Sequence, residues 1–225
     1  MAKIKVYVAD TSPLKKTAFF EKSMALLTDA EQIRILQKKH TDEKCNALGG
    51  ALLLRYALNE MEIFNFEVIR DGHKKPCLAG DGMPFFNLSH SKERVMCAVS
   101  DCAVGCDVQW MDPNISPTVA KRFFTARECA ALQACATEEE RRCLFYRIWT
   151  LKESFVKMTG EGVIRAFHTF SVLPGCDGGF CFSSDFATEV PCFFEPCTEV
   201  NYRYALCAER GLSVSTQRMD LASFL

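Results

Sequence analysis

The chain repeats one pattern at a fixed offset, and that repeat constrains its architecture more than any other feature. Thr28 with Glu31 and Thr125 with Glu128 both have the T-x-x-E spacing that opens a helix, and the two boxes lie 97 residues apart. At the same offset Leu27 falls on Phe124, Leu48 on Phe145, Leu52 on Trp149, Leu54 on Leu151, Arg55 on Lys152 and Leu58 on Phe155. Further on, MCAVSD at 96–101 resembles LCAERG at 206–211, so the offset grows, as an insertion in the second copy would make it. A persistent offset is the mark of duplicated structure. The competing explanation is that any two amphipathic helices match at their apolar positions. Duplication predicts an α+β protein of two similar α/β halves, residues 1–103 and 104–225, each a small antiparallel sheet packed with a long helix. The halves would form a pseudo-dimer with the active site in the cleft between them.

With 225 residues, 48% of them hydrophobic, the chain is long enough for such a core. A formal net charge of −1 gives no global field for nucleic acid or an anionic membrane, so an anionic ligand must meet a local basic cluster. The 13 cysteines are odd in number, include no C-x-x-C pair, and follow a start that does not resemble a signal peptide. They are read as reduced thiols of a cytoplasmic protein. The longest apolar run, ALGGALLL at 47–54, falls far short of the roughly 20 residues of a membrane span.

Residues 137–159 have strong helical periodicity, with Thr137 and Glu140 as a third capping box and Gly160 as the C-terminal stop. At about 100° per residue, Leu144, Ile148, Leu151, Phe155 and Met158 define a core face, and Lys152 falls inside the apolar arc. A lysine there either snorkels its stem over the core or meets a buried anion. Glu153 and Lys157 sit one turn apart at the border of the arc, where an i,i+4 surface pair is the plain reading.

AVGCDVQW at 103–110 reads as a strand that puts Gly105, Asp107 and Gln109 on one face. Either that face is solvated, or Asp107, Glu153 and the Gln109 amide oxygen form part of an oxygen shell for Mg²⁺, which a diphosphate would complete. KKPCL at 74–78 and FFNLSHS at 85–91 add Lys74, Lys75, Asn87, Ser89, His90 and Ser91, groups suited to phosphate oxygens or to an ordinary polar loop. No P-loop or dinucleotide fingerprint is present.

Taken in order, KIKVYVAD, KKPCL, FNLSHS, VGCDVQ, AKRFFTARE and FYRIWTLKESFVKMTGEG resemble the 4′-phosphopantetheinyl transferase superfamily, in its surfactin-synthetase-activating (Sfp-type), two-half subgroup. The resemblance implies transfer of the phosphopantetheine arm of coenzyme A to a serine of an acyl, peptidyl or aryl carrier protein, with release of 3′,5′-ADP. It implies Mg²⁺, with Mn²⁺ as an alternative ion, at Asp107, Gln109 and Glu153. It makes Lys75, Ser89, His90, Lys152 and Lys157 coenzyme A contacts, and Glu153, Lys157, His90 and Asp107 the catalytic set, with Glu128 as a motif acid near the metal. The expected partners are coenzyme A and the apo carrier, met by a monomer that binds no nucleic acid and no membrane.

Two departures stand out. The usual third acid is Gln109, and Asn46 and Ala47 replace a basic and a hydroxyl group, which leaves Arg34 and Lys44 as candidates for the nucleotide end. The rival readings are a catalytically weakened coenzyme A-binding or carrier-docking module and another Mg²⁺-dependent nucleotide diphosphate transferase. At the 97-residue offset Tyr56 stands where the second copy has Glu153, so only one half is expected to bind metal.

Overall fold

The computed structural model describes residues 3–72, 75–160, 167–175, 179–184, 190–208 and 213–224. The first part of the chain forms β1 (Lys3–Asp10), α1 (Thr17–Met24), α2 (Asp29–Leu36), α3 (Thr41–Asn59), β2 (Val68–Arg70), β3 (Pro76–Leu78), β4 (Phe85–Ser91) and β5 (Arg94–Ser100). The second part forms β6 (Val104–Trp110), α4 (Pro117–Phe123), α5 (Ala126–Gln133), α6 (Glu138–Thr159), β7 (Phe170–Pro174), β8 (Phe180–Ser184), β9 (Cys192–Phe194), β10 (Tyr202–Ala208) and β11 (Ser213–Met219).

The first sheet runs β11-β1-β5-β4 and the second β6-β10-β9, with β2-β3 and β7-β8 as separate two-stranded ribbons. Among the described strands pairing is antiparallel except at one place. The last strand, β11, lies parallel to β1 with Val6 opposite Thr216, so the end of the chain returns to the sheet that its beginning started.

The alternation of KIKVYVAD describes a half-buried strand, yet both faces of β1 are covered. Ile4, Val6 and Val8 pack with Met96 and Ala98 of β5 and with Val104, Cys106, Val108 and Leu206 of the second sheet. Tyr7 and Ala9, on the opposite face by the two-residue period, pack with Cys97, Val99 and the α3 residues Leu48, Leu52 and Leu53. A third cluster joins Leu151, Phe155 and Val156 of α6 to Ala205 and Cys207 of β10 and to Phe170 and Val172 of β7. The layers are therefore α3, first sheet, second sheet, α6, the mixed α+β class that the sequence suggested.

All three T-x-x-E boxes form in full, with Thr28 accepting from Glu31 N–H, Thr125 from Glu128 N–H and Thr137 from Glu140 N–H. Such a cap stabilises a helix start by about 1 kcal/mol. At the far end of α6, Gly160 takes φ +80, the left-handed conformation that ends a helix without a Cβ penalty. Every described cysteine is a free thiol, and Cys45, Cys97, Cys106 and Cys207 are core residues. Among the described residues no helix is long and apolar enough to cross a membrane.

Candidate active site

The site begins with a missing side chain. A Cβ on Gly105 would fall on the Ser154 carbonyl oxygen and the Met158 backbone nitrogen, so only glycine lets α6 lie directly on β6. This close approach puts Glu153 and Lys157 of α6 over the face of β6 that carries Asp107, two residues beyond Gly105. The face is thus covered by a helix and not solvated.

Asp107 is buried, at 4% exposure, and its two oxygens have different fates. Oδ1 accepts from the Ser89 hydroxyl at 2.7 Å and from the Lys157 ammonium at 2.7 Å, while Oδ2 is buried without a hydrogen-bond partner. An unpaired buried carboxylate oxygen is costly unless something positive reaches it. Glu153 sharpens the need. Its carboxyl is pushed up to about 7, first by burial and then by the Asp107 charge, with Lys157 pulling the other way. Burial works against the Lys157 charge, but Asp107 outweighs it and holds the ammonium above its ordinary pKa. Two carboxylates facing one ammonium leave room for a further hard cation, and oxygen donors of this kind suit Mg²⁺. Gln109, half-buried, continues the same face of β6 with an amide oxygen where a third acid would stand. Among the described residues no group of three or more His, Cys, Asp or Glu side chains is placed to hold a metal ion.

Lys157 also donates to Ser89 Oγ at 2.9 Å, and Val108 N–H does so at 3.2 Å. With its proton on Asp107 and two bonds accepted, the Ser89 hydroxyl is saturated. Its expected role as a phosphate donor would require it to turn away from Asp107. His90, the next residue of β4, is solvent-exposed; the surrounding protein and the Lys157 and Lys38 charges lower its pKa, which favours a neutral ring. Lys75 bridges the sheet and the helix by donating to Val104 O at 3.3 Å and Met158 O at 3.0 Å, which leaves the third donor of its ammonium. Burial lowers the Lys75 pKa. Lys74 lies outside the described residues.

Lys152 requires a correction. It is 0% exposed, and its three donors go to Glu128 Oε1 and Oε2 at 2.9 Å and to Phe170 O at 2.6 Å. The anion it meets is internal, so no donor remains for coenzyme A. Glu128 is corrected with it: fully buried, it also accepts from Val172 N–H at 2.9 Å and from its own capping-box residue Thr125, and serves Lys152 and not the metal region.

At the proposed nucleotide end, Asn46 is turned inward, accepting from Thr11 Oγ1 at 2.7 Å and donating to Lys92 O at 2.9 Å. Ala47 packs against the first core. Arg34 is exposed, with its Nε on Ala30 O of its own helix, and Lys44 is half-buried in the first turn of α3. The cation of this region whose charge reaches His90 is Lys38, which belongs to none of the motifs above. Its signal was the exposed KKH run just before α3.

With this geometry in view, comparison with known proteins defines the class. The family model described as the 4′-phosphopantetheinyl transferase superfamily matches residues 103–207, the span that holds β6 and α6. The chain is 31% identical over 201 residues to the 4′-phosphopantetheinyl transferase psf-1 of Bacillus pumilus, covering 88% of this chain and 81% of that one. It is 29% identical over 197 residues to the 4′-phosphopantetheinyl transferase Sfp of Bacillus subtilis (strain 168), covering 84% of each, and 30% identical over 142 residues to AcpT of Salmonella typhimurium, covering 62% of this chain and 71% of that protein. The chain belongs to the 4′-phosphopantetheinyl transferase superfamily. Within it, likeness along most of the chain to the Bacillus proteins makes it a member of the Sfp type.

Proposed function

We propose that the protein transfers the 4′-phosphopantetheine arm of coenzyme A to the serine hydroxyl of an apo carrier protein, as a Mg²⁺-dependent enzyme. The observation that carries this reading is the unpaired Asp107 Oδ2 beside Glu153, in a family whose named members are phosphopantetheinyl transferases. Asp107 and Glu153 would hold the ion, with Gln109 contributing its amide oxygen directly or through water. When bound, Mg²⁺ supplies Lewis-acid stabilisation of charge on the diphosphate oxygens.

In the reaction the serine oxygen attacks the β-phosphorus, a new P–O bond forms, and the bond to the leaving 3′,5′-ADP breaks with its electron pair. Lys157, already charged and aligned by Asp107, would stabilise the negative charge that builds on the diphosphate. Lys75, with one donor left, and His90, with a neutral ring at the surface, would hold phosphate oxygens. Lys38, Arg34 and Lys44 are the cations we assign to the nucleotide end. Glu153 is our candidate for accepting the serine proton.

We further propose that residues 1–103 and 104–225 are duplicated halves. Glu31 and Arg55 form an ion pair at 2.7 Å, and residues 97 positions later, Glu128 and Lys152, form another at 2.9 Å. In the first copy Tyr56 packs edge-on against Tyr7 and Phe224 where the second copy has Glu153, which supports a single metal site. A monomer working in the cytoplasm is the setting we assign.

Incubation with coenzyme A, Mg²⁺ and a panel of apo carriers, followed by intact mass spectrometry, tests the activity. A gain of one phosphopantetheine on a carrier is expected. Retained coenzyme A binding without transfer to any carrier, at any Mg²⁺ or Mn²⁺ concentration, would favour a non-catalytic binder.

A further inference from the structure

Strand β6 ends its sheet: β10 flanks one side, and the other side presents the N–H groups of Cys106, Val108 and Trp110 toward β4. An unpaired row of this kind at a buried seam would be costly. Backbone carbonyls of β4 do not take up these three donors. Cys106 N–H donates to Asn87 Oδ1 at 2.9 Å, Val108 N–H to Ser89 Oγ at 3.2 Å and Trp110 N–H to Ser91 Oγ at 2.9 Å. Residues 87, 89 and 91 lie on one face of β4 by the two-residue period, and each catches an alternate N–H of β6. The Cys106 thiol adds a bond to Asn87 O at 3.3 Å. Three side-chain oxygens thus do for this seam what a ladder of carbonyls does inside a sheet.

The middle rung is Ser89, whose hydroxyl is also bonded to Asp107 Oδ1. Sliding β6 by one residue along β4 would turn Asp107 away from Ser89 and replace it with Cys106 or Val108. We infer that Asn87 and Ser91, the two outer rungs, are positioning residues: they fix the register of β6 on β4, and so aim Asp107 Oδ2 at the divalent ion. The inference rests on the metal-site reading above and extends it to two residues that touch neither ion nor substrate.

The test measures two things on free protein: amide hydrogen exchange by NMR, and Mn²⁺ affinity by electron paramagnetic resonance. Variants are Ser91→Ala, Ser91→Thr, which keeps the oxygen, and Asn87→Leu, with thermal unfolding as the control for global stability. In the wild type the amides of Cys106, Val108 and Trp110 should exchange slowly although they lie on a sheet edge. Ser91→Ala should free the Trp110 amide and weaken Mn²⁺ binding by roughly tenfold, the scale of one lost hydrogen bond. Ser91→Thr should restore both, and Asn87→Leu, if it folds, should free the Cys106 amide with a similar loss of affinity. Fast exchange of the three amides in the wild type, or Mn²⁺ affinity within twofold of wild type in Ser91→Ala, would overturn the inference. Wild-type protein that binds no Mn²⁺ but protects the three amides would instead overturn the metal reading on which it rests.

Discussion

Lys157 Nζ lies 2.7 Å from Asp107 Oδ1, and this bond ties the last turn of α6 to the middle of β6 while leaving the second oxygen of the same carboxylate without a partner. The lysine thus orients Asp107, and in the proposed mechanism it has the second duty of meeting the phosphate. Lys157→Met should lower kcat by at least about a hundredfold, the usual loss when a preorganised donor to developing charge is removed. Steady-state transfer assays with a fixed carrier would show it; an unchanged kcat with a raised KM would limit Lys157 to binding.

Gly105 is the spacer that makes this bond reachable. Gly105→Ala must push α6 outward, because the contacts it meets are backbone atoms of the helix. Overpacking of this kind costs about 1–3 kcal/mol, and urea unfolding should show that loss together with weaker metal binding.

The buried pair of Lys152 and Glu128 should matter for stability and not for coenzyme A binding. Removing one partner of a buried pair costs about 3–5 kcal/mol, so Lys152→Met should be strongly destabilised. Adding Glu128→Gln should recover part of the loss, since the stranded charge disappears. Denaturant titration of the single and double variants checks this, and coenzyme A affinity of whichever variants fold should match wild type.

Arg94 clamps Glu199 with a bond at 2.7 Å, and Tyr204 donates to the same carboxylate at 2.7 Å. Burial pushes the Glu199 pKa up, but these bonds and the Arg94 and Arg218 charges outweigh it and hold the carboxyl below its ordinary range. A group depressed in the folded state adds stability above its unfolded pKa and loses it as pH falls through the folded value. The wild type should therefore lose stability through the acid range below the usual carboxylate pKa, and Glu199→Gln should flatten that slope in melting curves taken against pH.

Gln109→Glu would put a second carboxylate on the face of β6, and with Glu153 of α6 a third in the site. Transfer should then saturate at a lower Mg²⁺ concentration, with the maximal rate kept or raised. An unchanged Mg²⁺ requirement in this variant would remove position 109 from the metal shell.

Much of the site could be read from the sequence because it lies in local patterns. The boxes at Thr28, Thr125 and Thr137, the stop at Gly160 and the shared face of Gly105, Asp107 and Gln109 all follow from spacing of a few residues. The contacts that depend on how elements meet did not show. Periodicity put Lys152 in the apolar arc and allowed a buried anion, but capping statistics use up Glu128 at its own helix start and give no hint that its carboxylate also faces α6. The seam of Asn87, Ser89 and Ser91 read as ligand donors because a polar, alternating strand does not tell whether its side chains meet a phosphate or another backbone. The place of β11 was hidden for a related reason: SVSTQRM is a polar edge strand with no apolar face to mark which sheet it joins.

The most direct measurement is a crystal structure grown with Mn²⁺ and coenzyme A, with the ion located by anomalous scattering. One Mn²⁺ bound jointly by the Asp107 and Glu153 carboxylates and by the diphosphate of coenzyme A is the predicted result. An ion bound elsewhere, or a diphosphate held with Asp107 and Glu153 in no common coordination sphere, would contradict the account.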